Sequence, residues 1–275
     1  MTTQIHPTAV VHIKAQLAEG VEIGPYAIIG DRVSIGARTQ IGAHVVMEGC
    51  VKIGEDNRIS PGVIIGLEPQ DVSYRGAESW VEIGDRNQIR EYATIHRATQ
   101  AEALTQIGSD NFLMAYVHVA HNCQIQDDVT IANSVSLGGY VQVGSKAVIG
   151  GMVGVHQLVH IGRFAMVGGM SRINRDVPPY LLVEGNPARV RGLNAVGLRR
   201  SGIAAGSADF QALKQAYRLL YKSAMPFDKA LKQLELQAGE GLLPHLVDFL
   251  QQAQLPGRRG VISGRGQLRS LGFDD

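Results

Sequence analysis

Five of the nine histidines fall between residues 96 and 160: His96, His118, His121, His156 and His160. A free imidazole has a pKa near 6.5. At neutral pH it can take the proton of a hydroxyl as that hydroxyl attacks a carbonyl carbon. His121 stands out by spacing, because His121, Gly139 and Gln157 recur at one constant interval, three times the six-residue period described below. If that interval makes one backbone repeat, these three share a column. The column would offer a base, a backbone N–H with no side chain over it, and a polar carboxamide. The plain alternative is an exposed histidine bonded to a neighbouring carbonyl. The proximity of His118 and the surrounding glycines argue against it. Glycines also come in pairs, Gly138-Gly139, Gly150-Gly151 and Gly168-Gly169, with Gly151 and Gly169 at the same interval again. A strip without side chains on another face can hold a long apolar tail, or the glycines simply suit a corner.

The elements that must position these residues show in a period of six. From Ile5 to Ile173 in steps of six, 26 of 29 positions are Ile, Leu, Val or Met. The breaks are Asp71, Ala77 and Ala101. Gly often follows the large residue, as at Gly24, Gly108 and Gly162, and a small or β-branched residue stands four places on, as at Ala27 and Val129. A helix needs apolar spacing of three and four, and a simple strand needs two. A period of six describes a short strand and a corner, so three strands close one triangular coil of three hexads. Successive coils then stack about 4.8 Å apart. The pattern resembles the left-handed parallel β-helix of hexapeptide-repeat proteins. The hand comes from that resemblance, since the general crossover rule favours the right.

The breaks read as excursions at 67–80 and 98–106, both of which keep the phase of six. Loops inserted into a repeat gather near the working surface, or are neutral surface insertions. The expected organisation is a β-helix over residues 1–186 and a helical C-terminal part over 187–275. Residues 208–223, 227–237 and 242–253 carry helical periodicity, and Leu213, Ala216, Tyr217, Leu220 and Tyr221 share one face. The basic, Gly-rich stretch from about 256 reads as weakly ordered.

Composition narrows the function. Lys and Arg total 26 against 25 Asp and Glu, so attraction to nucleic acid or to an anionic membrane is not expected. Apolar residues make up 45%, which excludes wholesale disorder. Two cysteines, Cys50 and Cys123, make neither a disulfide framework nor a four-cysteine zinc site. No apolar run is long enough for a membrane span, so none is expected. The opening MTTQIHPTAV lacks a basic segment followed by an apolar run, so no secretory leader is expected, and a cytoplasmic setting fits.

The segments VHVAHNCQI, IGGMVGVHQLVHIG, GNPARVRGLNAVGLRR, NQIREYATIHRAT and PQDVSYRG resemble, over nearly the whole chain, the bacterial UDP-N-acetylglucosamine O-acyltransferases that begin lipid A assembly. The hexapeptide pattern and the GNPA ending are widespread among acyltransferases, whereas GLNAVGLRRSG is much more specific. The resemblance implies transfer of a hydroxyacyl chain from acyl carrier protein to the 3-hydroxyl of the UDP-sugar. It also implies a homotrimer with sites between prisms and no cofactor. It makes His121 the general base and Gly139 the residue whose N–H faces the thioester oxygen. Asp71 and His118 match sugar contacts, and His96 and His156 match histidines of the cleft. Gln157, Asn194 and Arg200 match substrate and nucleotide contacts, and Gly169 matches the position that limits acyl length. Arg172, Arg175, Arg189, Arg191, Arg199 and Arg200 gather near the end of the repeat. They read as a receptor for an acidic carrier or a diphosphate, or as a solvated rim.

Three positions depart from the family pattern. Asn122 stands where Asp is common, Tyr140 where His is common, and Ser73 where Lys is common. An amide supports an imidazolium less than a carboxylate does. A 3-amino UDP-sugar, whose amine attacks without prior deprotonation, is therefore an alternative acceptor. A zinc carbonic anhydrase of the same fold is a distant alternative. It would need three converging nitrogens, and the spacings among His118, His121, His156 and His160 do not fit its pattern.

Overall fold

The computed structural model describes residues 2–264. Up to Ile173 nearly every hexad forms a short strand and a turn. Away from the two excursions each strand pairs with the one three hexads on, as in Gln124↔Gln142, Thr130↔Val148 and Ser136↔Gly154, in parallel. Three sheets of 11, 9 and 8 strands result among the described residues, each forming one side of a prism. Phe112–Leu113 lies in the first sheet, His118–Val119 in the second and Gln124–Ile125 in the third.

Pleating sends alternate side chains in and out. Ile125, Ile131, Leu137 and Ile149 fill the interior and are fully or almost fully buried, whereas Gln124 and Gln142 face solvent. The first coil is the open end, so Ile5 stays 47% exposed despite holding the same place in the period. The corners between the second and third sheets turn at Asn122, Tyr140 and Leu158, all with positive φ of 60 to 66°. These residues accept a backbone region that is unfavourable for side-chain-bearing residues, so the stacked core over-determines the turn.

The inward small column holds an unexpected polar ladder. Asn87 donates its N–H and its side-chain NH2 to Asn57 Oδ1, and Asn87 Oδ1 accepts the Asn111 N–H at 2.9 Å. Asn111 Oδ1 in turn accepts the Val129 N–H at 2.7 Å. A side-chain amide satisfies corner groups that an aliphatic residue leaves bare.

Both excursions keep the stacking phase. Across 67–80 the pairing interval becomes five hexads, as in Ile53↔Ile83 and Ile65↔Ile95. Across 98–106 it becomes four, as in Ile83↔Ile107 and Ile95↔Val119. Arg97 pins the first excursion: it donates to the Gly66 carbonyl and the Tyr74 hydroxyl, and its guanidinium lies over the Tyr74 ring.

Beyond Ile173 the structure departs from the expected boundary. The division at 186/187 falls in the turn of an antiparallel hairpin, Leu181–Gly185 with Ala188–Leu193, and both strands extend the first sheet. Four helices follow among the described residues: α1 (Ala195–Arg200), α2 (Ala208–Tyr221), α3 (Phe227–Gln237) and α4 (Leu243–Gln252). Helix α2 buries Phe210, Leu213, Ala216, Leu220 and Tyr221, while Tyr217 is partly buried and packed against the core. None of the described helices is long and apolar enough to cross a membrane.

The stretch expected to be weakly ordered from about 256 is instead tied down as far as Gly264. Arg258 grips both oxygens of the buried Asp176 at 2.7 and 2.6 Å, and Val261 and Gly264 bridge to Asp176 and Val190. A buried carboxylate requires a partner, and among the described residues this segment supplies the cation that pairs with it. The rest of that expectation lies outside the described residues.

Candidate active site

His121 starts the corner between the second and third sheets. Tyr140 N–H donates to the His121 carbonyl and Leu158 N–H to the Gly139 carbonyl, so His121, Gly139 and Gln157 occupy successive rungs. The ring of His121 lies directly over Gly139. A Cβ built there would be 2.5 Å from Nε2 and 3.0 Å from Nδ1, so only glycine leaves space for the imidazole. The Gly139 N–H has no acceptor among the described residues.

The imidazole points away from the Ile and Val interior, yet the residue is only 9% exposed. The excursions cover it. From 67–80, Asp71 brings Oδ2 to 3.7 Å from His121 Nε2. Ser73 orients that carboxylate by donating its N–H and its hydroxyl to Oδ1, at 2.8 and 2.7 Å. These Ser73 hydrogen bonds, with the nearby His121, hold the Asp71 carboxyl below its ordinary pKa. From 98–106, Thr99 and Gln100 reach Asn122 and Tyr140. Asn122 Oδ1 lies 3.0 Å from His121 Nδ1, and the Tyr140 ring stands edge-on to the imidazole at 5.3 Å.

His96 and His118 form the floor beside this group, with ring centroids 5.4 Å apart. His96 Nδ1 meets the Glu68 carbonyl at 2.6 Å, and His118 Nδ1 meets Thr94 Oγ1 at 2.8 Å. Burial, helped by His96 and His121, pushes His118 below its usual pKa, so it stays neutral at neutral pH. His156 and Gln157 sit two rungs from His118 and His121, about 10 Å along the axis. His156 Nδ1 lies 3.0 Å from the Gln157 carbonyl, and the Gln157 side chain is exposed.

The remaining expected residues lie elsewhere. Gly151 and Gly169 precede Met152 and Met170 at the corner between the first and second sheets. They are thus at the opposite edge of the sheet that ends at His121. Neither has the positive φ for which glycine is specially suited; a Cβ on Gly151 would stand 3.4 Å from the Asn133 oxygen and one on Gly169 a tighter 3.2 Å from the Gly151 oxygen. The first glycine of each pair is different: a Cβ on Gly138 or Gly150 would collide with the next rung's backbone. Asn194 caps α1, accepting the Gly197 N–H at 3.0 Å and donating to the Phe164 carbonyl at 2.8 Å, at the third corner. Each end of its amide thus keeps one further site, an N–H and an oxygen lone pair, beyond these two bonds. Arg200, at the end of α1, is exposed. Of the basic residues near the end of the repeat, Arg191 is already paired with Glu184 at 3.1 Å.

Sequence reasoning missed Thr99 and Gln100, although it placed their loop near the working surface. Their signal was weak, because small polar residues in a loop carry no spacing rule. Among the described residues no three or more His, Cys, Asp or Glu side chains gather where they could hold a metal ion.

Residues 176–262 match the family model described as UDP N-acetylglucosamine O-acyltransferase, domain 2. Residues 32–67 and 104–139 match the bacterial transferase hexapeptide model. The acyl-(acyl-carrier-protein)–UDP-N-acetylglucosamine O-acyltransferase of Rippkaea orientalis is 60% identical over 267 residues, with 96% of each chain covered. The protein of the same name from Synechocystis sp. is 56% identical over 266 residues, again covering 96% of each. Among solved structures, the Francisella novicida UDP-N-acetylglucosamine acyltransferase superposes with a TM-score of 0.90 at 34% identity, over 99% of this chain and 100% of that one. The UDP-N-acetylglucosamine acyltransferase of Bacteroides fragilis gives 0.87 at 35% identity, over 94% and 99%.

Proposed function

The chain belongs to the acyl-carrier-protein-dependent UDP-N-acetylglucosamine O-acyltransferases, and from that membership we propose how its residues carry out the transfer. The enzyme moves an acyl chain from acyl carrier protein to UDP-N-acetylglucosamine. His121 Nε2 takes the proton of the sugar 3-hydroxyl as that oxygen attacks the thioester carbon. The developing oxyanion is met by the Gly139 N–H. As the C–S bond breaks, the imidazolium returns its proton to the leaving thiolate. A base placed this way is worth about 10² to 10⁴ in rate. The observation that carries this reading is the His121 ring lying on Gly139, with Nδ1 on the Asn122 oxygen and Nε2 facing Asp71.

His96 and His118 line the sugar pocket, and Asp71 both contacts the sugar and offsets the imidazolium charge. His156 and Gln157 extend the cleft along the axis, and Gly169 limits acyl length. Asn194 and Arg200 serve the nucleotide of a neighbouring copy. The expected contacts are divided among three corners of one prism. That division supports a homotrimer of left-handed β-helices, in which clefts between copies bring the corners together. A 3-hydroxyacyl donor, the first step of lipid A assembly and a cytoplasmic setting complete the reading.

A second reading, transfer to a 3-amino UDP-sugar, draws on the neutral amide at Asn122. Asp71, 3.7 Å from Nε2, supplies the charge that Asn122 lacks and favours the hydroxyl acceptor. The test is mass spectrometry of products formed from a mixture of acyl-carrier species with both acceptors. Dominant ester product supports hydroxyl transfer, and dominant amide product replaces it.

A further inference from the structure

We infer that Thr99 and Gln100, on the 98–106 excursion, are positioning residues for the catalytic base: with Tyr140 they lock the Asn122 amide so that its oxygen faces His121 and leaves Nε2 free of a proton. The inference rests on the reading of His121 as the base.

The assignment begins from one donor that has no choice. The backbone N–H of Thr99 can only donate, and it lies 3.1 Å from one end of the Asn122 amide. That end is therefore the oxygen. His121 Nδ1 lies 3.0 Å from the same oxygen, so Nδ1 carries a proton and the lone pair of the neutral ring is on Nε2. The Thr99 hydroxyl, 3.0 Å from this oxygen, also donates to it. Its own oxygen then accepts the Tyr140 hydroxyl at 3.1 Å. The other end of the Asn122 amide, its NH2, donates to Gln100 Oε1 at 3.2 Å. The Gln100 NH2 is thereby turned to the Tyr140 oxygen, to which it donates. The bonds close a loop from Tyr140 to Thr99, Asn122, Gln100 and back, and each bond pairs a donor with an acceptor.

The loop matters because an amide has a wrong face. Flipped end for end, Asn122 would set its NH2 against the Thr99 N–H and against His121 Nδ1. The imidazole would then carry its proton on Nε2 and could not accept one from substrate. A carboxylate at this position has two equivalent oxygens and needs no such lock. The neutral residue and the loop that orients it therefore form one device.

The test compares kcat and KM for acyl transfer to UDP-N-acetylglucosamine in full-length wild type, Gln100→Ala and Tyr140→Phe. Each is also made in the Asn122→Asp background. In the Asn122 protein each substitution should lower kcat by about threefold to tenfold, the range that one net hydrogen bond allows, with KM changed less than twofold. Nitrogen-15 spectra of labelled histidine should show His121 as Nδ1–H in the wild type and as a mixture in the variants. In the Asn122→Asp background the same substitutions should lose much less, so the effects do not add. Equal losses in both backgrounds, or an unmixed Nδ1–H ring in Gln100→Ala, would overturn the inference. Tyr140→Phe removes only a hydroxyl, so it keeps the test usable if Gln100→Ala folds poorly. A wild-type protein without transfer activity would count against the function reading instead, and the nitrogen spectra would still decide the lock.

Discussion

Gly139→Ala separates the placing of the base from every other role of its corner. The added methyl would sit 2.5 Å from His121 Nε2. To regain ordinary contact near 3.5 Å, the ring must withdraw by about 1 Å. It cannot do so and keep both its 3.0 Å bond to Asn122 and its 3.7 Å approach to Asp71. A displacement of that size costs roughly 100-fold when it moves a reacting group. The backbone N–H of residue 139 survives, so the loss would report the ring and not the oxyanion contact. The fold should survive as well. Gly139 has no positive φ, and its clash is with a side chain that can move. Gly to Ala at a compatible φ also gains about 0.4–1 kcal/mol through the unfolded chain. The midpoint of thermal unfolding should therefore stay within about 4 °C of wild type. The assay is steady-state acyl transfer beside a melting curve, with His121→Ala as the reference for loss of the base. Turnover of Gly139→Ala within threefold of wild type would refute the placement of the imidazole over this residue.

Gly169→Met should shorten the preferred acyl chain at a small cost to the fold: a Cβ there lies 3.2 Å from the Gly151 oxygen, which must yield slightly, while the exposed position leaves room for the rest of the side chain. Product masses from mixed acyl donors decide this, and an unchanged distribution would reject the length role. Asn87→Ala should lower the melting point by several degrees: it strands the buried Asn111 N–H and leaves the Gly108 carbonyl without its amide donor, about 1–3 kcal/mol for each orphan. A melting point indistinguishable from wild type would contradict the ladder. His118, His160 and His245 are each held below the ordinary pKa of 6.5, chiefly by burial. A histidine depressed in the folded state protects stability above 6.5 and loses it as pH falls towards the folded value. Melting points should be flat from pH 7 to 8 and drop below 6.5, less steeply in His245→Asn. An unchanged acid limb in that variant would remove His245 from the account.

The prism was legible before any coordinates, because its rule is local and repeated. Ile125, Ile131 and Leu137 recur at every sixth position, the strand–corner repeat of a hexapeptide β-helix, and the strands do pair after three sides. That alone stacks His121, Gly139 and Gln157, and it keeps the excursions in phase. The helices after Ser207 were legible for the same reason, since their apolar spacing is internal to each segment. Other features depend on segments that meet only in three dimensions. The hairpin at 181–193 gives no period, and Arg258 finds Asp176 from far along the chain. Polar Asn57, Asn87 and Asn111 enter a column that hydropathy reserves for small aliphatic residues, because the stacked corners offer them backbone partners. Above all, sequence spacing could choose the imidazole but not its proton. Which nitrogen is bare depends on where Thr99 and Gln100 lie relative to Asn122. Hydrogen-bond direction is a relation between groups brought together by folding, so it is written in the tertiary structure and not in any one stretch of chain.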